Sequence, residues 1–121
     1  MRRLTALESK ALFRMANEVG KDDERDQLMD DLGHCLVQEE SPDGSRVIFH
    51  IEGYRRPPYL GQDSFRGKDQ FPVEGMIKDA DGVEMDVALY ADENNRLLEF
   101  ELVKHAVDQI IDPDWGSFRL K

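Results

Sequence analysis

The chain has 121 residues, 16 of them Lys or Arg and 26 Asp or Glu, for a formal net charge of -10. Apolar residues at 40% beside charged residues at 35% exclude wholesale disorder and supply one modest core, hence a single domain over 1–121. No run approaches the ~20 apolar residues of a membrane span, and no apolar leader region follows Met1-Arg2-Arg3. The single cysteine, Cys35, excludes an internal disulfide, and these features together point to a reducing cytoplasm.

Thr5-Ala6-Leu7-Glu8 has the form of a capping box and opens a helical pattern. Leu7, Ala11, Leu12, Met15, Ala16 and Val19 recur at helical spacing, predicting a helix over 6–19 that stops at Gly20. A shorter helix is expected over 23–32, with Leu28, Met29 and Leu32 inward and Gly33 ending it. Asp22, Asp23 and Glu24 suit its N-terminus, where carboxylates meet the positive end of the helix dipole.

From His34 onward the period changes to that of strands. Segments 35–40 and 45–51 flank Ser41-Pro42-Asp43-Gly44, a strong turn signal. A four-residue loop sets Glu40 opposite Ser45, Glu39 opposite Arg46, Leu36 opposite Phe49 and Cys35 opposite His50. Residues 52–71, rich in Pro and Gly, read as a long, mildly basic loop arching over the sheet edge.

Residues 73–103 hold two hairpins that share a central strand, 83–91, with turns at Ala80-Asp81-Gly82 and Asp92-Glu93-Asn94-Asn95. The expected register pairs Ile77 with Met85, Gly75 with Val87, Val73 with Leu89, Val87 with Phe100, Met85 with Leu102 and Leu89 with Leu98. One face is then wholly apolar. The other carries Glu74, Glu84, Asp86, Glu99 and Glu101, with Asp86 across from Glu101 and Lys78 across from Glu84. The expected fold class is α+β: one or two N-terminal helices on an antiparallel meander of about five strands.

The charge is segregated, with residues 22–44 carrying a net -8 and residues 71–102 a net -7. Such a field repels nucleic acid and anionic membranes and complements a basic protein partner. Two surfaces compete for that contact. The first is Asp22, Asp23, Glu24, Asp26, Asp30 and Asp31 with Glu39 and Glu40. The second choice is the sheet face with Glu84, Asp86, Glu99 and Glu101.

Catalytic, metal and cofactor motifs fail on spacing. Asp79-Ala80-Asp81-Gly82-Val83-Glu84 has Val and Glu where a calcium loop needs an oxygen ligand and a Gly, so it reads as a turn. His34, His50 and His105 are scattered. The remaining enzyme reading is a thiolate–imidazole pair of Cys35 and His50. Arg55-Arg56-Pro57-Pro58-Tyr59 lacks the Pro-x-x-Pro spacing of a recognition motif. Trp115 either pins the tail to the core or anchors an interface.

The stretch 77–83, the strand after it and Asp92-Glu93-Asn94-Asn95-Arg96-Leu97-Leu98-Glu99-Phe100-Glu101-Leu102 resemble the C-terminal half of a family of small uncharacterised bacterial proteins. The short, acidic build is similar to that of immunity proteins of bacterial contact-dependent and polymorphic toxin systems. That resemblance implies a non-catalytic inhibitor that binds and neutralises a basic toxin domain, often a nuclease. The runner-up is a homo-oligomerising or scaffold protein whose interface is a sheet edge or Trp115.

Overall fold

The computed structural model, which describes residues 1–59 and 69–121, is an α+β fold. Helices α1 (Ala6–Asn17) and α2 (Asp22–Gly33) precede six strands. These are β1 (Cys35–Glu40), β2 (Arg46–Ile51), β3 (Asp69–Lys78), β4 (Glu84–Ala91), β5 (Leu97–Lys104) and β6 (Asp114–Leu120). They form one antiparallel sheet in the order β1-β2-β5-β4-β3-β6.

The central β3-β4-β5 meander is as expected, but the full sheet is not a meander. β2 pairs with β5, so β3, the next strand in the chain, lies three places further along the sheet and begins at Asp69. Residues 60–68 of the expected 52–71 loop lie outside the described residues. The sixth strand was not expected, because residues 114–120 show no clean alternation of apolar and polar residues.

The capping box at α1 is complete. Thr5 Oγ1 accepts the Glu8 N–H at 3.1 Å and Glu8 Oε1 accepts the Thr5 N–H at 2.8 Å. α1 stops at Asn17 rather than at 19, with Glu18 as its C-cap and Val19 buried in the short connection to α2. Leu12, Met15 and Ala16 of α1 and Leu28 and Leu32 of α2 close over Val47, Phe49, Met85, Val87, Leu89 and Phe100 of the sheet. Each large apolar side chain so buried contributes roughly 1.5–3 kcal/mol. Leu7 departs from the expected stripe and is 52% exposed.

The register of β3 on β4 is as expected from Gly75–Val87 through Lys78–Glu84. Val73 and Leu89 fall where that ladder shifts. The other two hairpins differ, and in both a turn carboxylate is the cause. Asp43 Oδ1 takes the Ser45 N–H at 3.0 Å, Gly44 sits at φ 75°, and Ser41 N–H already bonds Arg46 O at 2.9 Å. Ser41 thus belongs to the ladder, and the pairs become Glu40–Val47 and Glu39–Ile48. A bulge between Val37 and Glu39 then sets Val37 on Phe49, Leu36 on His50 and Cys35 on Ile51.

At the β4–β5 turn, Asp92 Oδ1 accepts the N–H groups of Asn94 and Arg96 at 2.8 and 3.0 Å, and Asn95 takes φ 60°. A bulge follows, and the pairs are Leu89–Phe100, Val87–Leu102 and Ala88–Glu101. Beyond the bulge this is a slip of two, so residues from Phe100 onward keep their face while their partners change; at the bulge Ala91 pairs with Leu97, which joins the core. The expected opposition of Asp86 and Glu101 is therefore absent: Asp86 faces Val103.

Both sheet edges are blunted. Arg2 bridges to Val37 along the outer side of β1, through hydrogen bonds of 3.2 and 2.7 Å. On β6, Asp114 pairs with Lys78 but Arg119 with Met76, so five steps of β6 match two of β3. Bulges and short covering segments of this kind deny a foreign strand a regular ladder.

Candidate functional site

α2 buries Leu28, Asp31 and Leu32, which turns Asp23, Asp26 and Asp30 outward at i, i+3 and i+7. Asp22 accepts from Arg25 Nη2 at 2.8 Å and Asp23 Oδ1 takes the Glu24 N–H at 2.9 Å. Glu24 lies 4.0 Å from Lys21 Nζ. His34, at the other end, has Nδ1 2.9 Å from Asp30 O and 3.5 Å from the Asp30 carboxylate. The Asp30 carbonyl, then its charge, raises the His34 pKa above the usual range. A cleft of about 550 Å³ opens beside Asp23, Glu24 and Gln27, bounded across by Asn94, Asn95 and Arg96.

Asp31 is not part of that face. It is fully buried, with Arg96 Nη2 at 2.8 Å, Gln27 Nε2 at 3.0 Å and the Leu97 N–H at 3.1 Å on its oxygens. Its role is to join α2 to the β4–β5 turn. Glu39 and Glu40 are exposed but lie elsewhere. Glu40 meets Arg2 at 2.9 Å, and Arg2 also holds Glu8 at the start of α1, whereas Asp22 follows the end of α1. The expected first surface is thus two surfaces.

The sheet-face carboxylates are already engaged within the chain. Arg119 reaches Glu84 at 2.6 Å, and His105 and Lys121 reach Asp86 at 3.0 and 3.2 Å. Glu99 is fully buried beneath Arg46, whose Nε lies 3.0 Å away. Glu101 is half-buried and paired in the ladder with Arg46. The Glu84 contact comes from β6, the strand that sequence periodicity missed, and one Asp86 contact comes from Lys121 just beyond it.

Five buried carboxylates each face a base: Glu8 with Arg2, Asp31 with Arg96, Asp79 with Lys104, Asp92 with Arg56 and Glu99 with Arg46. Arg56 lies in the diproline segment and also donates to Phe49 O and Leu97 O at 2.9 Å each, fastening that segment to β2 and β5. Tyr54 OH adds a 2.7 Å bond to Asp92. Burial alone would raise the Asp79 pKa, but Lys104 and the N–H groups of Ile111, Asp112 and Ala80 outweigh it and hold the pKa below the carboxylate range. No local sequence signal marks these pairs, because all but Arg2–Glu8 join residues far apart in the chain.

The Cys35–His50 pair does not form, since Cys35 faces Ile51 and His50 faces Leu36. Cys35 Sγ instead donates to Leu32 O at 3.4 Å, and burial pushes its thiol up to about 11. Among the described residues no group of three or more His, Cys, Asp or Glu side chains is placed to hold a metal ion. No helix among them is long and apolar enough to cross a membrane.

These features define a small α+β domain with an acidic helix face and a densely ion-paired interior. The chain belongs to the DUF6984 family, a domain of unknown function whose family model matches residues 1–114. Neither a curated protein nor a solved structure matches the chain.

Proposed function

We propose that this chain is a non-catalytic binding protein of the immunity type, which neutralises a basic toxin domain, for example a nuclease, in the cytoplasm. The observation that carries the reading is where the uncompensated charge lies. With five acids and five bases consumed in buried pairs, 21 acids face 11 bases over the rest of the chain. On α2, Asp23, Asp26 and Asp30 form an exposed row, whose first member borders a cleft of about 550 Å³. Carboxylates projecting from a helix speed encounter with a basic surface and set specificity against it.

The test is a native pull-down from lysate that also expresses the neighbouring open reading frame, eluted on a salt gradient. A single basic partner that resists moderate salt, and whose activity falls when this chain is added, is the expected result. Reversing Asp23, Asp26 and Asp30 to Lys should weaken that complex at least about tenfold, a loss of ~1.4 kcal/mol. An unchanged affinity would sink the assignment of this face.

A further inference from the structure

We infer that the surface around Trp115 is a two-fold interface with a second copy of this chain. Two clefts meet at that residue. One, of about 570 Å³, is bordered by Glu40, Asp43 and Asp112; the other runs along α1 past Leu7, Lys10 and Arg14. Trp115 lines both, and its ring is rooted edge-on against Phe100 with centroids 5.3 Å apart. The ring is half-buried, and among the described residues its indole N–H finds no acceptor.

Leu7 and Ile111, 52% and 64% exposed, stand one in each cleft. A firmly seated tryptophan between two exposed aliphatic side chains has the composition of an interface centre rather than of a solvated surface.

The charges around that centre choose the occupant. Carboxylates dominate one side of Trp115, where Glu40, Asp43 and Asp112 outnumber Arg2, and cations the other, at Lys10 and Arg14. A uniformly basic partner would meet Lys10 and Arg14 over half the patch, and a uniformly acidic one would meet the carboxylates. A two-fold axis through Trp115 brings each acidic side onto the partner's basic side, which is the self-complementarity an isologous contact requires. Arg2 already engages Glu40 and Arg14 lies 5.7 Å from the Phe118 ring centroid, so both groups are positioned before association. The face is distinct from the exposed row on α2, and the inference stands whether or not a toxin partner exists.

Sedimentation velocity on the full chain across a concentration series tests it. The expected result is a species of twice the 14.0 kDa chain mass that grows with concentration. Its fraction should rise from low salt to ~0.15 M, where the mutual repulsion of two -10 chains is screened over ~8 Å.

Leu7→Asp, at an exposed site, should weaken the dimer at least about tenfold. Lys10→Glu with Arg14→Glu should give monomers, and so should Glu40→Lys with Asp112→Lys. Mixing those two monomeric variants should restore a dimer, because each then presents the charge the other lacks. A wild-type chain that sediments as a monomer at high concentration overturns the inference, even if Leu7→Asp weakens binding to some other protein. So does a dimer that none of these substitutions touches.

Discussion

Arg96 closes on Asp31 with Nε 3.1 Å from each carboxylate oxygen and Nη2 2.8 Å from one, while its guanidinium lies 4.2 Å from the Tyr54 ring centroid. The last turn of α2 is thereby fastened to the β4–β5 turn, and the Leu97 N–H completes the carboxylate's coordination. Asp31→Ala strands Arg96 and that N–H together. The expected loss is about 3 kcal/mol, at the low end for a broken buried pair because Arg96 keeps some solvent contact. Urea unfolding measures it. Asp23→Asn, Asp26→Asn and Asp30→Asn, all at exposed positions, should each move stability by less than about 0.5 kcal/mol.

Acid should unfold the protein partly through Asp79. Its pKa is depressed in the folded state, so the ion pair with Lys104 contributes stability above the ordinary carboxylate pKa of about 4. That contribution is lost as the pH falls from there through the lower folded value. Glu8 and Asp92 are depressed too and act in the same direction. Asp79→Asn should flatten the decline of stability below about pH 4, measured by urea midpoints at successive pH values. An unchanged slope would mean that this cluster does not set the acid limit.

Cys35 should be a slow thiol. With its pKa pushed up to about 11, little thiolate exists at pH 8, and the sulfur is half-buried against Leu32 O. Labelling by a disulfide reagent should run at least about tenfold slower than in the unfolded chain. Equal rates would return the residue to consideration as a reactive group.

Gly75 is required by a ring rather than by its backbone. A Cβ there would overlap Phe118 Cε2, so Gly75→Ala must displace the Phe118 ring and loosen β6. The expected cost is about 1–3 kcal/mol. Combining it with Phe118→Ala should recover part of that cost, since the two substitutions share one contact. Simple additivity in urea unfolding would contradict the overlap.

Much of this fold is legible in local sequence. The Thr5–Glu8 box, the strand periodicity of 73–103 and Gly82 were sufficient for α1, three strands and the β3–β4 register. The other registers failed where Asp43 and Asp92 recruit backbone N–H groups beyond the turn itself, a side-chain device that loop-length counting does not see. The acidic surface was only half legible. Composition flags Asp31 and Glu99 as surface residues, and only distant Arg96 and Arg46 reveal that they are interior. β6 was invisible because its bulge breaks the alternation on which strand reading depends.

The interrupted margins of the sheet bear on how recognition by this domain can change over time. With Arg2 bridged to Val37 and a bulge in the β3–β6 ladder, the described sheet edges offer a partner an interrupted row of main-chain groups, which favours recognition through side chains. Main-chain pairing tolerates nearly any sequence, whereas side-chain contacts are rewritten by single substitutions. Exposed positions such as Asp26 or Leu7 can therefore vary and shift partner choice while the ion-paired interior stays intact. The scaffold separates what must be kept from what is free to diverge.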